Sequence, residues 1–260
     1  MRDDFSRAAA CYDEAAVLAR EVGERMAGRL DFIKIAPRRV ADIGCATGDG
    51  IRELQRRYPD ALPLAVDFAR PMLLAVKSRA SLMQRLRGKA PRLVNADVRA
   101  LPFKAGSVDL VWSNLMLHWL DDPLPAFREL HRVLAVGGLL TFAMLGPDTL
   151  KELRAAGATG LRRFADMHDI GDMLVAAGFA DPVMDMEMIT FDYRRPRQLL
   201  ADQRHLGVRD GLLGRMGWRD WRRVLAGWNR HASFEIVHGH AWQGEAKVAA
   251  DGRAIVRFVR

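Results

Sequence analysis

Cysteine is scarce: Cys11 and Cys45 are the only two in 260 residues. Disulfide frameworks belong mostly to small secreted chains, so this scarcity argues against one and points to a reducing compartment. The seven histidines show no metal-ligand spacing, and no metal is expected. Long apolar runs are missing as well. None reaches the roughly 18 residues that a membrane-spanning helix needs. The opening MRDDFSRAAACYDEAA is charged and amphipathic and lacks the apolar core of a signal peptide. The expectation is a cytoplasmic protein with no membrane partner. Repeats and low-complexity tracts are absent too. Half of the residues are hydrophobic and 28% are charged, an ordinary globular balance. The length suits one large domain, or a core with a small cap.

What is present is an uneven charge. The formal net charge is +8. Residues 194–230 hold ten Arg and three Asp but no Lys or Glu, a net +7 in that stretch. Such a segment is either a solvated helical face or a surface for an acidic partner. Trp221, Leu225 and Trp228 form an apolar stripe, with Arg215, Arg219, Arg222 and Arg223 largely away from it. That pattern predicts a helical insertion docked on a core, with a basic outer face. No recognised nucleic-acid module accompanies the arginines, so nucleic acid is not the expected partner.

Along the chain, Leu18, Val22, Met26 and Leu30 recur every four positions and predict one or two helices from Ser6 to Phe32. Short apolar runs then alternate with helical patterns. Strands are predicted at 39–43, 62–66, 92–94, 108–112 and 139–144, and two more at 183–193 and 234–242. Helices are predicted after Gly48, from Pro71, along Leu124, Phe127, Leu130 and Leu134, and over 169–177. This order predicts an α/β fold, a Rossmann-like doubly wound, mostly parallel seven-stranded sheet. The expected organisation is a helical lid (1–37), a core (38–193), an Arg-rich helical insertion (194–232) and a last core strand with a C-terminal hairpin turned at Asp251-Gly252 (233–260).

The strongest local signal is VADIGCATGDG at the end of the first strand. Ligands of open α/β sheets bind at the carboxyl ends of strands, where the strand order reverses. A dinucleotide site uses G-x-G-x-x-G to seat a pyrophosphate on a helix N-terminus. Here the spacing is Asp42-x-Gly44-x-x-x-Gly48-x-Gly50, and Ala46 stands at the middle glycine of the methyltransferase pattern D-x-G-x-G-x-G, which it otherwise resembles. A carboxylate beside such a loop suits an ammonium better than a phosphate. Asp67 ends the second strand and is placed for ribose hydroxyls, while Asp97 ends the third and is placed for an adenine amino group, with the Val98 N–H toward the ring. Taken singly, Asp42 or Asp97 reads as an N-cap or turn residue, and it is the ordered set of three that points to a ligand.

On these residues the chain resembles the class I S-adenosylmethionine-dependent methyltransferases. The resemblance implies S-adenosyl-L-methionine as cofactor and S-adenosyl-L-homocysteine as product. It implies cofactor contacts from Asp42, Gly44, Cys45, Ala46 and Gly48, from Asp67 with Phe68 and Met72, from Asp97 and Val98, and from Ser113. Asn114 and His118 would face cofactor and substrate. Further stretches, FSRAAACYD, LVWSNLMLHW, GPDTLKEL, DMHDIG and GHAW, resemble the malonyl-acyl carrier protein O-methyltransferases of biotin synthesis. Ala19 departs from the Gln often found there, and His118 stands where Gln also occurs. This likeness implies methyl transfer to the free carboxylate of a malonyl thioester on acyl carrier protein or coenzyme A. Catalytic contacts are then expected from Tyr12, Asn114 and His118, and carrier docking from Arg204, Arg215, Arg219, Arg222 and Arg223. Tyr12, on the lid, either reaches a ligand or packs on Phe5; His118 either touches substrate or is structural. A methyltransferase for another small molecule or a quinone precursor, or an arginine hydroxylase or assembly factor, remains the alternative.

Overall fold

The computed structural model describes residues 2–244. Within them, β1 (Arg39–Ile43), β2 (Leu62–Asp67), β3 (Arg92–Asn95), β4 (Val108–Asn114), β5 (Leu134–Leu145), β6 (Ala180–Asp192) and β7 (His231–Trp242) form one sheet in the order β3-β2-β1-β4-β5-β7-β6. β7 runs antiparallel to both its neighbours, and the other pairings are parallel. The order reverses between β1 and β4, which places a ligand crevice beyond their carboxyl ends. The Asp251-Gly252 hairpin lies outside the described residues.

Alternation along the strands divides the core into two layers. Val40, Leu110 and Leu139 face one side with α4 (Asp49–Arg57) and α5 (Arg70–Arg79). Ala41, Val111 and Leu140 face the other with α7 (Leu124–Val133) and α9 (Met167–Ala176). Successive side chains of a strand point to opposite faces, so a sheet covered on both sides reads as a continuous apolar run.

The first layer also takes in both segments expected outside the core. The N-terminal part is three helices rather than one or two: α1 (Arg2–Ala8), α2 (Tyr12–Ala15) and α3 (Val17–Arg29). Val22, Met26 and Leu30 are buried, as their spacing predicts. The insertion forms α10 (Pro196–His205), α11 (Arg209–Leu212) and α12 (Trp218–Gly227), with Trp221 and Trp228 buried. α10 packs against α2, and the Cys11 thiol points at the His205 carbonyl, 3.7 Å away. Lid and insertion therefore meet and roof the strand tips together. Two short helices, α6 (Leu82–Leu86) and α8 (Lys151–Ala155), were not legible in the pattern. β5 starts five residues earlier than expected, with an irregular register between Val108 and Leu110 absorbing Gly137-Gly138.

Candidate functional site

A cavity of about 1030 Å³ opens at the tips of β1, β2 and β4 beneath this roof. Of the residues predicted from sequence, Tyr12, Gly44, Ala46, Asp67, Phe68, Met72, Asp97, Val98, Asn114 and His118 line it. Asp42, Cys45, Gly48, Ser113 and the five arginines of the insertion do not.

The loop after β1 turns its amides inward. Gly44 and Cys45 both donate to the Val66 carbonyl, at 2.9 and 3.0 Å. Ala46 donates to Asp67 Oδ2 at 3.0 Å, and Gly48 to the Cys45 carbonyl at 2.8 Å. These four donors are thus committed within the protein and are not free for a pyrophosphate. Gly44 adopts φ +76°, and a Cβ there would lie 2.4 Å from Met116 Cγ. Only glycine meets both demands.

Asp67 is the acceptor at the centre of this wall. Its Oδ1 takes the Ala69 N–H at 2.8 Å while Oδ2 holds Ala46. Burial raises its pKa, opposed by the N–H groups of Ala69, Ala46 and Phe68. A carboxylate has about four lone-pair sites, so capacity remains for a diol. Phe68 and Met72 give an apolar flank, and Phe5 of the lid meets Phe68 edge-on at 5.9 Å and Trp119 at 6.2 Å. Asp97 is held by Arg99 through two side-chain bonds of 2.9 and 2.7 Å, which keep its carboxyl below the usual range.

Four residues expected to touch the cofactor do not line the cavity, each for a physical reason. Asp42 is 2% exposed and lies beneath α4, where burial pushes its carboxyl up to about 8 against the Ile51 N–H. On β1 it shares the face of Val40, so it serves the α4 N-terminus and not the cavity. The Cys45 N–H belongs to Val66, and its thiol is buried. Gly48 is the left-handed entry to α4, with φ +97°. Ser113 is fully buried and donates to the Ile43 carbonyl at 3.0 Å, tying β4 to β1.

The three expected catalytic side chains all reach the wall. Tyr12 is near Asp67, Asp49 and Asp42; burial first, and then these carboxylates, raise its hydroxyl pKa. Phe5 has Phe68 and Trp119 as ring partners, and Tyr12 and Phe5 both line the cavity. Asn114 Nδ2 donates to the Ala19 carbonyl at 2.7 Å and thereby anchors α3 to the tip of β4. His118 Nδ1 accepts the Leu145 N–H at 3.3 Å. Burial, with Arg162 adding to it, pulls its pKa down to about 3. The ring is therefore neutral near pH 7, with its proton on Nε2. Asp13 ties the N-terminal helices to the binding loop, accepting from Thr47 Oγ1 at 2.6 Å and pairing with Arg79.

Sequence reasoning missed Phe5, Trp119, Arg99, Arg194 and Gln203 on the wall. Gln203 had a signal: a polar residue four places after Leu199 on the apolar face of α10. Arg204, Arg215, Arg219, Arg222 and Arg223 are exposed on the outer surface, clear of the cavity.

Residues 41–142 match the methyltransferase domain family. Across nearly the whole chain the match is more specific. The chain is 48% identical to a malonyl-[acyl-carrier protein] O-methyltransferase from Gallionella capsiferriformans, covering 99% of this chain and 94% of that protein. It belongs to this methyltransferase family. A second relative of the same description, from Laribacter hongkongensis, is 47% identical over the same shares of both chains. Among solved structures, the YcgJ protein from a Bacillus shares the fold at 17% identity, with a TM-score of 0.60 over 86% of this chain and all of that one. Haemonchus contortus phosphoethanolamine N-methyltransferase 2, solved with S-adenosyl-L-methionine, gives a TM-score of 0.57 at 16% identity over 92% of this chain and 57% of that one. Among the described residues, no helix is long and apolar enough to cross a membrane.

Proposed function

We propose that this methyltransferase moves a methyl group from S-adenosylmethionine to the free carboxylate of a malonyl thioester on acyl carrier protein, an early step of biotin synthesis. The observation that carries the reading is the extent of the family likeness, which includes the lid and the insertion that roof the cavity. The wall suits the cofactor. Four of its loop amides are committed to Val66, Asp67 and Cys45, which leaves fewer donors for a phosphate and supports a nucleoside without one. Asp67 would hold the ribose, Asp97 and Val98 the adenine, and Phe68 and Met72 the flank of the nucleoside.

The cofactor supplies a methyl group on a positively charged sulfur. The acceptor carboxylate is already ionised near pH 7, so it attacks without a general base. A carbon–oxygen bond forms, the carbon–sulfur bond breaks, its electron pair goes to sulfur, and no proton moves. The residues fit that economy. His118 is too weakly basic to deprotonate anything, and its Nε2–H can only donate. Tyr12 stays protonated and is also a donor. What the chain contributes is alignment and exclusion of water, and positioning alone supplies roughly 7–11 kcal/mol. The exposed Arg204, Arg215, Arg219, Arg222 and Arg223 would meet the acidic surface of the carrier.

The test is methyl transfer from S-adenosylmethionine to malonyl-carrier by purified protein, followed by mass spectrometry of the carrier. A malonyl methyl ester with matching S-adenosylhomocysteine is the expected product. No ester, with cofactor bound normally, overturns the acceptor assignment.

A further inference from the structure

The roof contains a polar side chain that nothing above uses. Gln203 is 3% exposed, lines the cavity, and makes no side-chain hydrogen bond among the described residues. Its amide is turned to the cavity and not to a protein partner, so a ligand group is its natural complement. It sits on α10, which packs against the α2 helix that carries Tyr12. Two residues before α10, at the cavity rim, Arg194 is exposed and has no ion pair among the described residues.

The donors on the wall have different claims on them. Asn114 Nδ2 is committed to Ala19. His118 retains Nε2–H because Leu145 occupies Nδ1. Arg99 is engaged by Asp97. Arg99 and Arg194 are the cations among the lining residues, and both are exposed. A nucleophilic carboxylate held by a buried guanidinium would be paired and less reactive. Neutral donors orient it without that pairing.

We propose that α10 is the acceptor half-site, in which the Gln203 amide orients the acceptor carboxylate and Arg194 binds the phosphate at the outer end of the carrier's arm. This rests on the malonyl-thioester reading above. The seven-residue step from Pro196 to Gln203 rises roughly 10 Å along the helix axis. Arg194 stands two residues outside that step, so a cation at the rim and an amide at depth lie on one continuous segment. The extended arm is longer than this helical rise, which puts its phosphate beyond the helix N-terminus, on the Arg194 side. Arg suits the phosphate through paired N–H donors.

The experiment compares two acceptors. Malonyl-carrier has the phosphate; malonyl-N-acetylcysteamine, a truncated thioester, lacks it. Arg194→Ala should raise KM about tenfold on malonyl-carrier and leave the truncated acceptor unchanged. Gln203→Leu should lower kcat/KM about ten- to hundredfold on both, because it removes a hydrogen bond to a charged group. Gln203→Glu, isosteric but negative, should be worse than Gln203→Leu on both. Cofactor Kd by calorimetry should stay at the wild-type value in all three, which separates a positioning role from loss of fold. Arg194→Ala acting equally on both acceptors, or on neither, overturns the phosphate assignment. Gln203→Glu no worse than Gln203→Leu overturns the carboxylate assignment. Wild-type protein that binds cofactor but methylates neither acceptor overturns the malonyl reading itself, and this proposal with it.

Discussion

The Ala46 N–H donates to Asp67 Oδ2 at 3.0 Å, so the tip of β2 holds the loop that follows β1. One carboxylate therefore shapes the loop and faces the cavity. Asp67→Ala is expected to weaken S-adenosylmethionine binding by at least about tenfold, since hydrogen bonds to a charged group contribute roughly 1.5–3 kcal/mol. Asp67→Asn should fall between the two, because its amide can accept from Ala46 but loses the charge. Calorimetry with the cofactor checks both, and an unchanged Kd for Asp67→Ala would remove Asp67 from the site.

Ala46 occupies a left-handed conformation, φ +44°, which costs an L-residue roughly 1–2 kcal/mol. Ala46→Gly relieves that strain, partly offset by the greater freedom of glycine when unfolded. The expected result is a small stabilisation, below about 1 kcal/mol, read as a higher urea midpoint. A lower midpoint would show that the Ala46 methyl packs favourably.

Asp42 gives a pH dependence of known sign. Its folded pKa of about 8 lies above the ordinary carboxylate value, so the folded chain holds the proton more tightly than the unfolded chain. That contribution is complete below about pH 4 and is lost as pH rises toward 8. Asp42→Asn cannot ionise. Its unfolding free energy should therefore fall less than that of wild type between pH 5 and pH 8.5. Parallel pH slopes for the two proteins would assign the dependence to other groups.

His118 has its Nδ1 taken by the Leu145 N–H, and the proposed role is a neutral Nε2–H donor to the substrate. His118→Gln, which keeps a donor, should retain most of the activity, while His118→Ala should lose about tenfold or more in kcat/KM. Because its pKa is about 3, the kcat profile should show no His inflection between pH 6 and 7.5. An inflection there that disappears in His118→Gln would restore a base role.

The insertion's basic face is tested by charge reversal. Arg219→Glu with Arg222→Glu should raise KM for malonyl-carrier severalfold, with a strong salt dependence, and leave cofactor Kd alone. Both arginines are exposed and remote from the cavity wall, so the fold should be unaffected. Unchanged KM would leave this face a solvated surface.

Much of the fold was legible because β1, α4 and β2 have sharp boundaries: Asp42–Ile43, Gly48 and Asp67 end or begin elements where turn chemistry requires it. The N-terminal segment was harder. Its alanines punctuate nothing, and the break at Ala9–Cys11 has no glycine or proline to announce it. For the site, strand-tip position identified Asp67, Asp97 and Gly44 but could not say which face of the pleat each side chain takes. Asp42 and Ser113 were expected at the wall, but their side chains are buried in the packed layers and do not line the cavity. Gln203 on α10 and Arg194 just before it lie more than 140 residues downstream of the binding loop, and only folding brings them to the wall.

Asp13, held by Thr47 and Arg79, and the contact of α2 with α10 give the cavity a shared roof. These contacts border the space of both guests and are formed without either. Loosening them to release the spent nucleoside therefore also loosens the wall around the newly made ester.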